Sequence, residues 1–172
     1  GGAFALAAPP PAMTPHQRID AVAVLPAAWG GGGMVAGQVL DMDHLAQGEA
    51  DLRLLHRLKT GAMLQAAAEL GCVAAGADDG LRQRARDYGC HIGLAFQVRD
   101  DVLDVVADQG ELGKPIGSDR AEGKRTFVDL LGLEACQALV AEETAKAKAA
   151  LADLPDSGFL LNLADHLAER RK

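Results

Sequence analysis

An all-α fold is predicted for this 172-residue chain on three observations. Aromatic residues make up only 3% of it while alanine and leucine abound, apolar residues recur at helical spacing, and no strand-like alternation is sustained. The length suits one compact domain, so residues 1–172 are expected to form a single α-helical domain whose segment 1–13 is linker-like.

Taken in order, Pro9, Pro10 and Pro11 cannot continue a helix and stiffen that first segment. Thr14 and Pro15 make an N-cap and first turn for a helix from about His16, with Ile19, Val22, Ala23 and Leu25 facing inward and Pro26 kinking or ending it. The run from Gly30 to Gly33 has no preceding strand to make it a phosphate cradle, so close helix packing or a hinge is expected. A helix over 34–46 presents Gln38 and Asp41 together. A longer one over 49–75 turns Leu52, Leu55, Leu58, Ala62, Ala66 and Leu70 inward, and carries His56, Lys59, Thr60 and Met63 on one side. Lysines at such positions are usually surface residues; Lys59 gains meaning if a carboxylate-bearing helix faces it.

After a turn at 76–80, a helix over 81–107 is predicted, then a polar, glycine-rich loop over 108–119 that brings Lys114 and, soon after, Lys124 and Arg125. Such a cationic loop is either a solvated surface feature or one that closes over a bound anion. Helices over 126–131, 133–151 and 158–171 complete the chain. In the second of these Ala138, Ala141, Ala145, Ala149 and Ala152 form a small-residue packing stripe, while Glu142, Glu143, Lys146 and Lys148 face solvent.

A formal charge of −7 argues against a nucleic-acid or anionic-membrane surface. No apolar run of about 18 residues is read, so no membrane insertion is expected. Cys72, Cys90 and Cys136 are odd in number, lack Cys-x-x-Cys spacing and lie in apolar helical patterns, which reads as reduced core thiols in a cytoplasmic protein.

The helix over 81–107 carries the chemistry. At about 100° per residue, Gln97, Asp100, Asp101, Asp104 and Asp108 fall within a third of a turn of one another, on a helix otherwise crowded by Phe96, Val98, Val102, Leu103 and Val106. Clustered carboxylates repel, so a cation must offset them. Carboxylate oxygens suit Mg2+, which is held by one or two of them while phosphate oxygens and water complete its shell. A solvated acidic face is the other reading of the same spacing.

The segments His56-Arg57-Leu58-Lys59-Thr60-Gly61, Gly93 to Asp104, Leu112-Gly113-Lys114 and Gly123-Lys124-Arg125-Thr126-Phe127 resemble the C-terminal half of a trans-isoprenyl diphosphate synthase, in particular the bacterial farnesyl or geranyl type. Gly37-Gln38-Val39-Leu40-Asp41 and the ending Ala164 to Lys172 are similar too. The resemblance implies a helical bundle of the isoprenoid synthase type, here lacking its N-terminal helices. It also implies a prenyltransferase that condenses an allylic diphosphate with isopentenyl diphosphate, its product length set by residues outside this sequence. On that likeness Asp100, Asp101 and Asp104 hold Mg2+, with Mn2+ as a substitute, and Lys59, Lys114 and Lys124 grip the allylic diphosphate. Thr60 and Gln97 lie near the forming cation, with Lys59, Thr60, Gln97 and Asp100 as the catalytic set, and Gln38 and Asp41 stand on a supporting helix. A homodimer is implied as well. The family's first Asp-rich motif and isopentenyl diphosphate site are not in this sequence, so the segment alone is expected to be inactive or severely impaired. The alternative is a non-catalytic partner subunit that modulates another prenyl diphosphate synthase; a third reading is a helical interaction module. Arg99, where the family pattern has a neutral residue, is expected to pack on a neighbouring carboxylate or the surface.

Overall fold

The computed structural model describes residues 13–110 and 125–170, with the side chains of 107–110 outside the description. Lys114, Lys124, most of the predicted loop and nearly all of the linker-like segment therefore lie outside the described residues, as does the side chain of Asp108. The elements are α1 (Pro15–Trp29), α2 (Met34–Met42), α3 (Glu49–His56), a π-helical turn (Arg57–Gly61), α4 (Ala62–Ala75), α5 (Asp79–Gly110), α6 (Phe127–Leu131), α7 (Leu133–Leu151) and α8 (Gly158–Glu169). No strand occurs among the described residues, as an all-α fold requires.

Local chemistry explains the ends. Thr14 and Gln17 form a capping box at α1, with Gln17 N–H donating to Thr14 Oγ1 at 3.3 Å and Thr14 N–H to Gln17 Oε1 at 2.7 Å. The Gln17 amide also donates to Val73 O at 3.0 Å, pinning the start of α1 to the end of α4. Asp78 accepts from Leu81 N–H at 2.8 Å to open α5, and Thr126 caps α6, which stops at Gly132 with φ 81°. Pro26 does not end α1; the helix runs three residues past it. The second helix stops at Met42 rather than near Ala46, because His44 turns left-handed at φ 52° and Leu45 N–H reaches back to Leu40 O. The last helix stops at Glu169, short of the predicted 171.

The long predicted helix over 49–75 is one rod interrupted by the π-turn at Lys59 and Thr60. The extra residue in that turn rotates α4 relative to α3, so Leu52, Leu55, Ala66 and Val73 are buried while Leu58, Ala62 and Leu70 are only half-buried. Helix α5 is the spine. Val98 and Val102 pack with Leu52, Leu55, Phe127, Cys136, Leu139 and Val140, and Tyr88 and Ile92 pack with Ala147, Leu151 and Ala164.

Two expectations are corrected. On α7 the alanine stripe Ala138, Ala141, Ala145, Ala149 and Ala152 is exposed, and Cys136, Leu139, Val140, Glu143, Thr144, Ala147 and Leu151 face inward instead. The larger apolar side chains bury more area than alanines can. Glu143 joins them because His91 Nδ1 at 2.7 Å and Lys146 Nζ at 2.9 Å meet its carboxylate; burial alone would raise its pKa, yet these partners hold it below the usual value. The second concerns the stretch Pro15–Met42, which is long and apolar enough by length and composition to cross a membrane, against the expectation of no such run. Residues 21–40 carry no charge; glycine and proline hid the run from a reading that looked for unbroken bulky residues. Here it is divided into α1 and α2 by the turn at 30–33, with Ala21, Leu25 and Ala28 buried; of the positions expected to face inward on α1 only Leu25 does, and Ile19, Val22 and Ala23 are exposed.

Candidate active site

The π-turn brings Lys59 and Thr60 against both α2 and α5. Gly37 of α2 sits where an added Cβ would lie 2.3 Å from Lys59 N, and an added Cβ on Gly93 of α5 would lie 3.0 Å from Gly61 Cα. Glycine at these two points lets three backbones meet at the turn. Lys59 Nζ donates to Asp41 Oδ2 at 2.7 Å, with the carboxylate only 16% exposed, so the two residues quoted from separate predicted helices form one pair. Gln38, on the same helix as Asp41, is exposed, and Thr60 is half-buried in the turn. Arg125 lines a small cavity with Asp41, Leu40, Leu52 and Leu55.

On α5, Gln97 Nε2 donates to Asp100 Oδ2 at 3.4 Å, and Asp101 Oδ2 accepts the backbone N–H of Phe127 at 2.8 Å. Asp104 is exposed. Asp100 is also paired with the Arg170 guanidinium, which stacks 3.9 Å from the centre of the Phe96 ring. Arg99 does not seek a carboxylate: its Nε and Nη2 donate to Arg170 O at 3.1 and 2.8 Å, holding that residue in place. Part of the cation that the clustered acids demand is thus supplied by the end of α8. Among the described residues no three His, Cys, Asp or Glu side chains converge as a metal cluster; Asp100 meets Arg170 and Asp101 meets the Phe127 N–H. The donor set still fits a hard divalent ion: all three are carboxylates, Asp104 is exposed and Asp100 is 40% exposed.

His56, Phe127 and Arg170 were not singled out as site residues from the sequence. The only signals were the position of His56 three residues before Lys59 and the basic ending of the chain. The His56 ring stacks on buried Phe127, centroids 5.5 Å apart. Burial pushes its pKa down to about 4, against a hydrogen bond with Gln97 that favours the charged form. The folded chain therefore refuses a proton that the unfolded chain accepts, so His56 makes stability fall as pH drops from about 6.5 toward 4. By this linkage we expect a loss of about 2 kcal/mol between pH 7 and pH 5 in urea titrations, with a flatter profile in His56→Leu.

The thiols take no part. Cys72, Cys90 and Cys136 are free, and burial raises all three, Cys136 to about 11. A groove of about 720 Å3 between α7 and α8 contains none of the candidate residues.

Comparison with known proteins adds the family. Residues 2–155 match the polyprenyl synthetase model. The chain is 40% identical over 172 residues to farnesyl diphosphate synthase of Escherichia coli (strain K12), covering 94% of this chain and 56% of that one. Its fold superposes on geranyltransferase from Helicobacter pylori complexed with magnesium and isoprenyl diphosphate, with TM-score 0.75, 32% identity and 95% of this chain against 55% of that one. Polyprenyl synthase from Caulobacter crescentus CB15, complexed with calcium and isoprenyl diphosphate, gives TM-score 0.78 and 30% identity, covering 90% and 60%. The chain thus spans little more than half the length of these relatives.

Proposed function

The chain belongs to the polyprenyl synthetase family, and from that premise we propose that it supplies the allylic-diphosphate half of a short-chain, farnesyl- or geranyl-type prenyltransferase. The reaction joins an allylic diphosphate to isopentenyl diphosphate: the allylic C–O bond breaks with its electrons leaving on diphosphate, the isopentenyl double bond attacks the carbocation, and a proton is lost. In this reading Asp100, Asp101 and Asp104 hold Mg2+, or Mn2+ in its place. When bound, the metal neutralises charge on the leaving diphosphate. Lys59, Lys114 and Lys124 bind the diphosphate oxygens, and preorganised ammonium groups lower the cost of the growing negative charge. Thr60 and Gln97 present oxygen dipoles near the cation, and Gln38 and Asp41 support Lys59 from α2.

The observation that carries this reading is the packing of the Lys59–Thr60 turn on α5 at Gly93, on the helix that bears Gln97 and Asp100, with Lys59 already oriented by Asp41. Calorimetric titration with a non-hydrolysable allylic diphosphate analogue tests it. Binding should require Mg2+ and weaken at least about tenfold in Lys59→Gln. Binding that ignores both would overturn it. We further infer that condensation needs a second acidic motif and an isopentenyl diphosphate site, so that this chain alone is inactive and gains activity when combined with the N-terminal half of a relative. A partner subunit without catalytic residues would bind no analogue at all. A cytoplasmic homodimer formed as one domain completes the proposal.

A further inference from the structure

Arg170 is the first residue past α8, where the backbone leaves the helix at ψ 144°. Its carbonyl oxygen accepts from both Nε and Nη2 of Arg99, at 3.1 and 2.8 Å, so one guanidinium on α5 holds the end of α8 by two bonds. The side chain of Arg170 then returns across α5. Its guanidinium lies 3.9 Å from the centre of the Phe96 ring, donates from Nη2 to Phe96 O at 3.5 Å and pairs with Asp100. Phe96, Arg99 and Asp100, neighbours on α5, thus all hold the same arginine. The seat is imperfect: Arg170 Nε is buried with no hydrogen-bond partner among the described residues, a cost that the other contacts must offset.

We propose that Arg99 is a positioning residue acting through Arg170: by fixing the Arg170 carbonyl it seats that guanidinium on Asp100, where it competes with Mg2+ for the carboxylate. In the metal-free chain the guanidinium offsets the repulsion between Asp100 and its neighbours Asp101 and Asp104. Once Mg2+ takes the carboxylate the two cations repel each other, and Arg170 gains by withdrawing, since its Nε–H is then solvated. Arg99 bonds to the backbone of Arg170 and to no acid, so it tunes Asp100 without touching it. The competition rests on the function proposed above; the clamp between Arg99 and Arg170 does not.

Titration of this chain with Mg2+ alone, read by calorimetry, tests the competition. Affinity should rise about fivefold in Arg170→Met, the worth of a partly exposed ion pair, and by a similar factor in Arg99→Met, which keeps the apolar stem and loses the donors. The double variant should gain no more than either single one. Unchanged or weaker affinity in either variant would overturn the proposal, as would additive gains, which would mean that Arg99 acts through its own charge. Side-chain NMR tests the clamp separately. The Arg170 signals should be displaced upfield by the Phe96 ring current, and should return toward ordinary values in Arg99→Met and when Mg2+ is added to wild type; ordinary values in the ligand-free wild type would overturn the clamp. A chain that binds no Mg2+ in any variant would sink the proposed function and the competition with it, while the spectra still decide whether Arg99 seats Arg170.

Discussion

Asp101→Ala should remove two things that wild type shows separately. Without ligand it leaves the Phe127 N–H unpaired where α6 begins, which costs about 2 kcal/mol. With Mg2+ and diphosphate at about a hundred times the dissociation constant, wild type should gain about 2.7 kcal/mol in stability, and the variant should gain none. Asp100→Ala separates the effects. Its side chain is 40% exposed, and its Arg170 partner, 20% exposed, keeps its place on the Phe96 ring, so the ligand-free loss should be smaller than in Asp101→Ala. The ligand-dependent gain should still vanish. Were the acids only a solvated face, both substitutions would relieve repulsion and neither would alter any response to Mg2+. Thermal melts of the three chains, with and without the two ligands together, distinguish these outcomes.

Gly37→Leu is expected to be the most damaging single change away from the acids. Even a methyl group there would lie 2.3, 2.6 and 2.8 Å from Lys59 N, Cα and Cβ, and two of those atoms are backbone that cannot rotate aside. Helix α2 must then lift off the π-turn, at roughly 3 kcal/mol, and the 2.7 Å pair between Lys59 and Asp41 should open with it. Urea unfolding gives the first quantity. Gly71→Ala is the control: that glycine lies inside α4 with nothing within 4 Å of an added Cβ, so the substitution should stabilise by about 0.5 to 1 kcal/mol. Equal effects at both positions would refute close packing at the turn.

Which parts of the site could be read in advance depends on how far apart the determining groups lie in the chain. Thr14 with Gln17, and Thr126 with Gly132, define helix ends through partners a few residues away, and both ends fall where the pattern puts them. The spacing of Asp100, Asp101 and Asp104 is likewise local, and it places acids beside Gln97 on α5. The α7 face could not be read this way. Alanines and leucines both repeat at helical spacing there, and the choice between them depends on α5, whose His91 also makes a buried Glu143 tolerable. The π-turn at Lys59 likewise has no local signature; it is where Gly37, Gly61 and Gly93 let three segments approach.

From its order of residues alone, this chain determined an all-α fold, most of its helix limits, the acid-bearing helix and its likeness to a prenyl diphosphate synthase. Only the tertiary structure decided that Asp101 would hold Phe127, that Arg170 would neutralise Asp100, and that His56 would stack on Phe127. The reason is physical. Helical periodicity and capping act over three or four residues, whereas each of these contacts joins residues 26 or more positions apart and exists only once the helices have packed.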